Sequence, residues 1–568
     1  MKKLFTLICI AAAVTLCAEE EIKTINLYQY VSSRYKAGER DIVLPDGKVK
    51  CRVMTLGKEY KDLTIRGGKN TVLINTRLTC VFFLNGCKNV TLRDFAIDYD
   101  PLSFTQGTVT KVDKKNNRLY YRLHDGYPRL SKPYLIKHPL FFDPVTRLFK
   151  YNDFGIGCSG NIKLNDDEGY LQYNGNRFAI KEGDFVVLNF RLDCALKVRG
   201  GAENLKFINI TMYSAPAGII ARNVKGVHEV RNCRAIRGEK PAGATEARLL
   251  ALSADAVNYA TGRQGPVIEG NEFSFLGDDS VNLHGRSLYV VKPVPEKGYF
   301  LCATGGGDRF EYLDLIKPQD RVRYLAKHNY AIYHETKIKK FEAADDKVVI
   351  EDMRVLYPPN VPSKFTLFRV YVEGDKLPDA GTRIDVPEIN MPNFVIRNNY
   401  FHDHRARGTR IMANNGVIEN NRIERLEHQG ISVGASYGHW TEAGWVENIT
   451  IRNNTIDSVC LGGSAYRKIA YSPGAICTFT HNDFGGKYSY FPGNRGVVIE
   501  GNKINNCGTA GIHLIASDGA IVRNNIISNV NWADTSEFGA VFGIKYVKEP
   551  IGTAYSTNAV IENNKVIK

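Results

Sequence analysis

The chain has 568 residues, 43% of them hydrophobic and 11% aromatic, and a formal charge of +15. This composition excludes a disordered chain, and the length suffices for several core regions or one very long one. The charge does not select nucleic acid, because Lys and Arg are dispersed without a dense basic run or aromatic–basic interleaving; anionic glycans suit a cationic surface equally well.

Residues 1–18 read as a secretory signal peptide. Lys2 and Lys3 precede an apolar run from Leu4 to Val14, and Ala18 is a small residue before Glu19. Removing this segment takes away two lysines and no acid, which lowers the charge from +15 to +13. The run is too short to span a bilayer comfortably and no later segment does better, so the expected product is exported, periplasmic or extracellular, without a membrane span. Cys17 invites a lipid anchor at the cell surface, although Leu16 is bulky where a small residue is expected. Twelve cysteines occur, two of them in the leader. The others show no Cys-x-x-Cys and no zinc spacing, so they are expected to be buried small hydrophobes with one or two bridges.

A repeat dominates the rest of the chain. Val267-Ile268-Glu269-Gly270-Asn271-Glu272-Phe273 returns as Val395-Ile396-Arg397-Asn398-Asn399-Tyr400-Phe401, Val417-Ile418-Glu419-Asn420-Asn421-Arg422-Ile423 and Thr450-Ile451-Arg452-Asn453-Asn454-Thr455-Ile456, with further copies from Val498, Ile521 and Val560. Each copy is a short alternating strand, an Asn or Gly turn and another short strand. Such a unit cannot bury its apolar face alone and must stack. Asn tolerates the left-handed turn and can hydrogen-bond along a ladder. The expected fold is therefore all-β: a right-handed parallel β-helix with two inserted small, barrel-like β domains. In chain order, residues 19–104 start the helix. Residues 105–190 form the first insertion, read from alternating strands such as Gly107 to Val112. Residues 191–287 are the central turns, 288–392 the second insertion and 393–568 the C-terminal turns.

A second, quieter repeat locates the site. Asp255-Ala256-Val257-Asn258-Tyr259 is followed by Asp279-Ser280-Val281-Asn282-Leu283, and the same pattern appears from Ala217, Arg407, Gln429 and Ala510. If each copy is one turn, the first positions stack about 4.8 Å apart where turns are consecutive. That column reads Ala, Asp, Asp, Arg, Gln, Ala, and the outward fourth position reads Ile220, Asn258, Asn282, Arg410, Ser432, His513. Polar groups thus gather on the central turns and fade toward the ends, as expected of a cleft on the flank of a solenoid.

Two carboxylates one rung apart repel unless a cation, a shared proton or a substrate relieves them. Asp278 should point away from Asp279 in a regular strand, but Gly277 permits a bulge that brings both to one side. Asp beside Gly is ordinary turn chemistry. The repeated Asp-[Ala/Ser]-Val-Asn one turn apart is what points to a catalytic trio of Asp255, Asp278 and Asp279, one member protonated and another ionised to activate water. A calcium site is the rival use of three acids, and Arg407 in the next copy argues against a purely cationic occupant.

The trio, Asp255 with Gly277-Asp278-Asp279-Ser280-Val281, resembles that of the family 28 polygalacturonases, inverting β-helix hydrolases. That resemblance implies Asp278 as general acid, with Asp255 and Asp279 positioning or activating water. The family's Gly-His-Gly and Arg-Ile-Lys motifs are missing; Arg407-Gly408 and Glu427-His428-Gln429-Gly430 stand there, which puts a uronate substrate in doubt. A closer resemblance is to glycoside hydrolase family 110, the exo-acting bacterial α-1,3-galactosidases, through Ile97-Asp98-Tyr99-Asp100-Pro101-Leu102-Ser103-Phe104-Thr105-Gln106-Gly107, the acid trio, the insertions and the Asn-rich later turns. It covers essentially the whole mature chain. It implies an inverting glycosidase with no metal and no cofactor, removing terminal α-1,3-linked galactose from blood-group-B-type or linear galactosyl glycans.

The expected substrate-binding residues are Asn258, Asn282, Arg407, Arg410, Glu427, His428 and Trp440. For the charged ones, surface ion pairing is an equal alternative, and for Trp440 and Trp445, packing. His402-Asp403-His404 lacks a third ligand at useful spacing and is rejected as a metal site. The expected partner is a galactose-terminated oligosaccharide and not nucleic acid; a homodimer is compatible with the sequence but not required by it. A β-helix polysaccharide lyase, another glycosidase acting on anionic polysaccharide and a non-catalytic glycan-binding β-helix are the rival functions.

Overall fold

The computed structural model describes residues 22–150, 158–173, 180–304, 311–346, 365–437, 440–462, 472–482, 487–533 and 546–567. The signal segment and Cys17 lie outside the described residues. Among these residues no helix is long and apolar enough to cross a membrane.

Each turn of the central solenoid contributes three short strands, as in Val395–Arg397, Tyr400–His404 and Thr409–Met412. The first two pair in parallel with their equivalents in one long sheet, and the third in another. The result is a parallel β-helix with the right-handed winding of parallel crossovers. The repeat explains the first corner. Its leading Asn or Gly adopts the left-handed backbone, with φ of 70° at Gly270, 58° at Asn398, 56° at Asn420 and 56° at Asn453.

The Asn that follows turns inward and builds a ladder. Asn271 donates to Asn399 at 2.8 Å, Asn399 to Asn421 and Asn421 to Asn454 at 2.9 Å, and the series runs on through Asn502 and Asn525 to Asn564. The same amides donate to backbone carbonyls, Asn399 to Ile268 and Asn421 to Ile396 at 3.0 Å. A row of fully buried residues, Ile268, Ile396, Ile418, Ile451 and Ile499, packs beside it within one continuous core.

A helix, Leu27–Lys36, covers the N-terminal end and buries Leu27 and Val31; its N-cap Asn26 accepts from the Gln29 amide at 3.0 Å. The strand repeat gave no hint of it. The ten described cysteines are all buried and unbridged, so the expected bridges are absent and the thiols pack as small apolar groups.

The first insertion is a six-stranded antiparallel sheet, from Phe104–Asp113 to Phe185–Asn189. Its root is tied to two turns by the Ser103 and Ser214 hydroxyls, 3.0 Å apart, and by Ser253 Oγ donating to the Ser103 carbonyl at 3.2 Å. Asp98, just before it, holds Arg248 through two bonds of 2.8 Å. The second insertion is a closed six-stranded barrel, from Leu288–Val294 to Arg383–Asp385. It leaves directly from the strand Val281–Arg286, and the chain then resumes the helix, so that Val281 pairs with Thr409 on adjacent rungs. Arg323 of the barrel is fully buried and pairs with Glu335 at 2.8 Å and with Glu447 of the helix, fixing the barrel to its base.

Replacing Asn421 by Ala removes the acceptor of both the Asn399 backbone and side-chain N–H groups. Stranding buried polar groups costs about 1–3 kcal/mol each. The Asn421→Ala variant should melt several degrees below the wild type by calorimetry, whereas Lys503→Ala, at an exposed position of the strand Lys503–Cys507, should not.

Candidate active site

Strand register sets the site. Val257 pairs with Val281, Val281 with Thr409, Thr409 with Ile431, Ile431 with Ile476 and Ile476 with Ile512. The expected column is therefore present, with one turn, Gly474–Thr478, that is not among the copies named from the sequence. Asp255 and Asp279 occupy equivalent positions on successive rungs, and the Asp279 backbone N–H donates to Asp255 Oδ1 at 3.1 Å.

Asp278 reaches the same side, for a reason different from the one expected of Gly277. The left-handed residue is Phe275, at φ 53°. Gly277 is required by proximity: a Cβ there would lie 2.2 Å from the Ser253 carbonyl oxygen of the preceding turn. With the chain pressed against that turn, Asp255, Asp278 and Asp279 each place an oxygen within 4.8 Å of the others.

Three guanidinium groups face this cluster. Arg191, on the return from the first insertion, pairs with Asp278 Oδ2. Arg405 stands 3.7 Å from the same oxygen and 3.7 Å from Glu427. Arg407 donates its backbone N–H to Asp279 Oδ1 at 2.9 Å, with its guanidinium 3.3 Å away. Asn258 donates to Asp255 Oδ2 at 2.7 Å while its own oxygen accepts from Arg222 at 2.7 Å. His404 is held neutral by burial and donates from Nδ1 to the Arg405 carbonyl, so the Ser280 hydroxyl between the acids and the strand donates to its Nε2 at 2.8 Å.

These surroundings separate the acids. Burial, then the charges of Asp278 and Asp279, hold the Asp255 carboxyl well above the ordinary range. Asp279 is also raised, by burial and by Asp278, against the opposing pull of Arg407. For Asp278 burial acts in the same sense, but the charges of Arg191 and Arg405 outweigh it and bring the group down to about 2. These opposed shifts favour the charge on Asp278 and a proton on Asp255. The trio has the oxygen donors of a hard-cation site, but its negative charge is matched by the chain's own arginines.

Asn258 and Asn282 lie on the rungs that carry Asp255 and Asp279, and Arg407 and Arg410 on the rung that follows. Glu427 and His428 sit on the next turn, both buried; Glu427 steadies Arg405, and His428 Nδ1 meets the Ser472 hydroxyl at 3.0 Å. Trp440 stands on a loop with 62% of its surface exposed, whereas Trp445 is a core residue at 0%. Arg191, Arg405, His138 and Glu442 belong to the site and were not singled out from sequence. His138, in the first insertion, has its proton affinity lowered by burial and by Arg191 and Arg405.

A family model described as the right-handed β-helix region matches residues 438–568. α-1,3-Galactosidase A of Bacteroides fragilis strain YCH46 is 23% identical over 87% of this chain and 78% of its own length. α-1,3-Galactosidase B of Bacteroides thetaiotaomicron is 23% identical over 71% of this chain and 64% of its own, and one from Phocaeicola vulgatus 22% over 83% and 79%. The chain is a homologue of the bacterial α-1,3-galactosidases. An exopolygalacturonase structure from Thermotoga maritima also aligns, over 97% of this chain and 93% of that one, with 10% identity and a TM-score of 0.41.

In this homologue the raised Asp255 carboxyl makes a linkage test. A carboxyl whose folded-state value lies above the unfolded one destabilises the fold progressively as pH rises from about 4, where the unfolded group begins to ionise. Asp255→Asn removes that contribution. The melting temperature of the variant relative to wild type should therefore rise as the pH is taken from 4 to 8, and a difference that stays flat would mean that Asp255 is not held protonated.

Proposed function

We propose that this chain is an exported, exo-acting glycoside hydrolase that removes terminal α-1,3-linked galactose with inversion, using Asp255, Asp278 and Asp279. The observation that carries the reading is the trio itself: three carboxyls with oxygens within 4.8 Å of one another on the flank of the solenoid, with proton affinities driven apart by burial on one side and arginine on the other. The substrate class follows from the relatives, which are named α-1,3-galactosidases.

Asp278 is the proposed proton donor. Its side chain is 26% exposed against 4% for Asp279, so it is the better placed to reach a glycosidic oxygen from the open side. It is ionised in the empty site, so it must gain a proton when a sugar enters and loosens its contact with Arg191. Asp255, one rung away, holds a proton to give. Asp255 and Asp279 then serve as the ionised pair that orients and activates water, with Arg407 restraining Asp279 and Asn258 restraining Asp255. Asn282, Arg410 and the exposed Trp440 are the side chains assigned to meet the sugar, with Arg407, Glu427 and His428 behind them.

The approach of the acids within 4.8 Å favours a second reading. Inverting pairs commonly stand about 6.5–9.5 Å apart to admit a water, and retaining pairs about 5–5.5 Å. Proton NMR of the first-formed sugar separates them: β-galactose from an α-1,3-galactosyl disaccharide establishes inversion, and α-galactose a covalent glycosyl-enzyme.

Leaving-group chemistry tests the roles. Without its general acid the enzyme should lose about 10²–10⁴-fold on the natural disaccharide, yet keep most of its rate on α-galactosyl fluoride, whose departure requires no proton. Asp278→Asn should behave this way, whereas Asp255→Asn and Asp279→Asn should lose both substrates. If Asp255→Asn is the variant that retains fluoride hydrolysis, Asp255 is the donor.

A further inference from the structure

Beside the acids lies a fourth carboxylate whose surroundings are incomplete. Glu442 belongs to a hairpin that leaves the C-terminal turns and reaches back over the strand following Asp279. Its backbone pairs antiparallel with Arg286 of that strand, and its N–H and C=O exchange bonds of 2.9 Å with Ser436. The hairpin is pinned by Tyr437, whose hydroxyl donates to Asp385 of the barrel at 2.9 Å and accepts from the Trp445 N–H at 2.6 Å. Glu442 is thus fixed, with its side chain 14% exposed.

What it faces is unusual. Asn282 Nδ2 is 3.5 Å away, Arg410 Nε 3.6 Å and His284 Nε2 3.8 Å, all at or beyond the limit of a hydrogen bond. Burial and the neighbouring charges of Arg222 and Arg286 favour the neutral His284 ring, and its Nδ1 donates to the Gly285 carbonyl at 2.7 Å, which leaves the lone pair on Nε2. A carboxylate and a bare imidazole nitrogen, two acceptors, therefore confront each other across a gap. Among the described residues, His284 Nε2, Asn282 Oδ1 and Arg410 Nη1 are all buried without a hydrogen-bond partner. Buried polar atoms of this kind ordinarily have partners, and here they cluster on consecutive rungs. Asn282 is the register neighbour of Asn258, which holds Asp255.

We infer that Glu442, His284, Asn282 and Arg410 form a sugar-recognition shelf in which neighbouring hydroxyls of a neutral hexoside bridge Glu442 and His284, so that Glu442 determines substrate specificity. A hydroxyl both donates and accepts, which suits the mixture of orphan atoms. The proposal rests on the glycosidase reading of the adjacent trio and adds to it the side chains that select the sugar. The shelf's acceptors disfavour a carboxylate at the same place, so uronides are excluded here although Arg222, Arg286 and Arg410 are near His284.

The test compares wild type, Glu442→Gln and Glu442→Asp in kinetics on an α-1,3-galactosyl disaccharide, and in calorimetry with methyl α-galactoside, α-glucoside and α-galacturonide. Hydrogen bonds to charged groups are worth about 1.5–3 kcal/mol, so Glu442→Gln should raise KM and weaken methyl galactoside binding by about 10–100-fold while kcat changes little. Glu442→Asp should recover part of the loss, and the galacturonide should not bind the wild type. An unchanged KM in Glu442→Gln, with wild-type turnover intact, overturns the shelf and leaves the hydrolase standing. If the wild type releases no galactose, binding decides: a neutral hexoside that binds the wild type and is lost in Glu442→Gln retains the shelf and removes the galactosidase reading. Failure of every neutral hexoside to bind, or tight binding of the galacturonide, overturns the shelf. Should Glu442→Gln fail to fold, Asn282→Ser takes its place with the same expected outcomes.

Discussion

Parallel stacking sets like side chain upon like side chain, and everything else in this molecule answers to that constraint. Where the repeated residue is Ile, like on like is simple burial, and it builds the continuous core. Where it is Asn, each amide both donates and accepts, so the ladder from Asn271 to Asn564 satisfies itself. Where it is Asp, the same geometry is adverse. Two charges about 4.8 Å apart at an effective dielectric of about 20 repel by roughly 3–4 kcal/mol. That exceeds the net worth of an ordinary hydrogen bond, so Asp255 and Asp279 cannot both ionise without help.

The help comes from outside the repeat. Arg191 enters on the strand return of the first insertion, and Arg405 and Arg407 come from the turn after the second. The insertions are thus more than ornaments of the solenoid. The first supplies a cation, and the second interrupts the chain at Arg286 so that a rung rich in arginine can follow the acidic one. The outcome is an uneven division of protons among three acids, which acid–base hydrolysis requires and a run of identical rungs would not provide.

Legibility in the sequence followed the same line. The Asn turns and the acid column were visible because they recur at a fixed spacing, and the structure stacks them in the expected register. The Gly474–Thr478 turn carries the same small and β-branched residues, Ala475, Ile476 and Thr478, as the other copies, so it was legible in the sequence by the same pattern. Arg191 and Glu442 were out of reach: neither belongs to a copy of the repeat, and each arrives through a connection whose path depends on tertiary packing. Leu27 and Val31 carried a helical spacing, but two apolar positions in a mostly polar segment are a faint signal beside a repeat. Gly277 matters for its missing Cβ and not for a special backbone conformation: the backbone of the preceding turn lies where a Cβ would be.

The net charge of +15 is a poor guide to what such a site accepts. Near the acids the arginines are engaged: Arg191 and Arg405 with Asp278, Arg407 with Asp279, Arg222 with Asn258. Adjacent to them stand the Glu442 carboxylate, held only by contacts of 3.5–3.8 Å, and, among the described residues, an imidazole nitrogen and an amide oxygen without hydrogen-bond partners. A ligand meeting this surface must supply donors as well as acceptors at short intervals, which a ring bearing neighbouring hydroxyls does and a polyanion does not. Bulk charge governs encounter over distances of a Debye length, whereas selection is made by the few buried atoms left without partners.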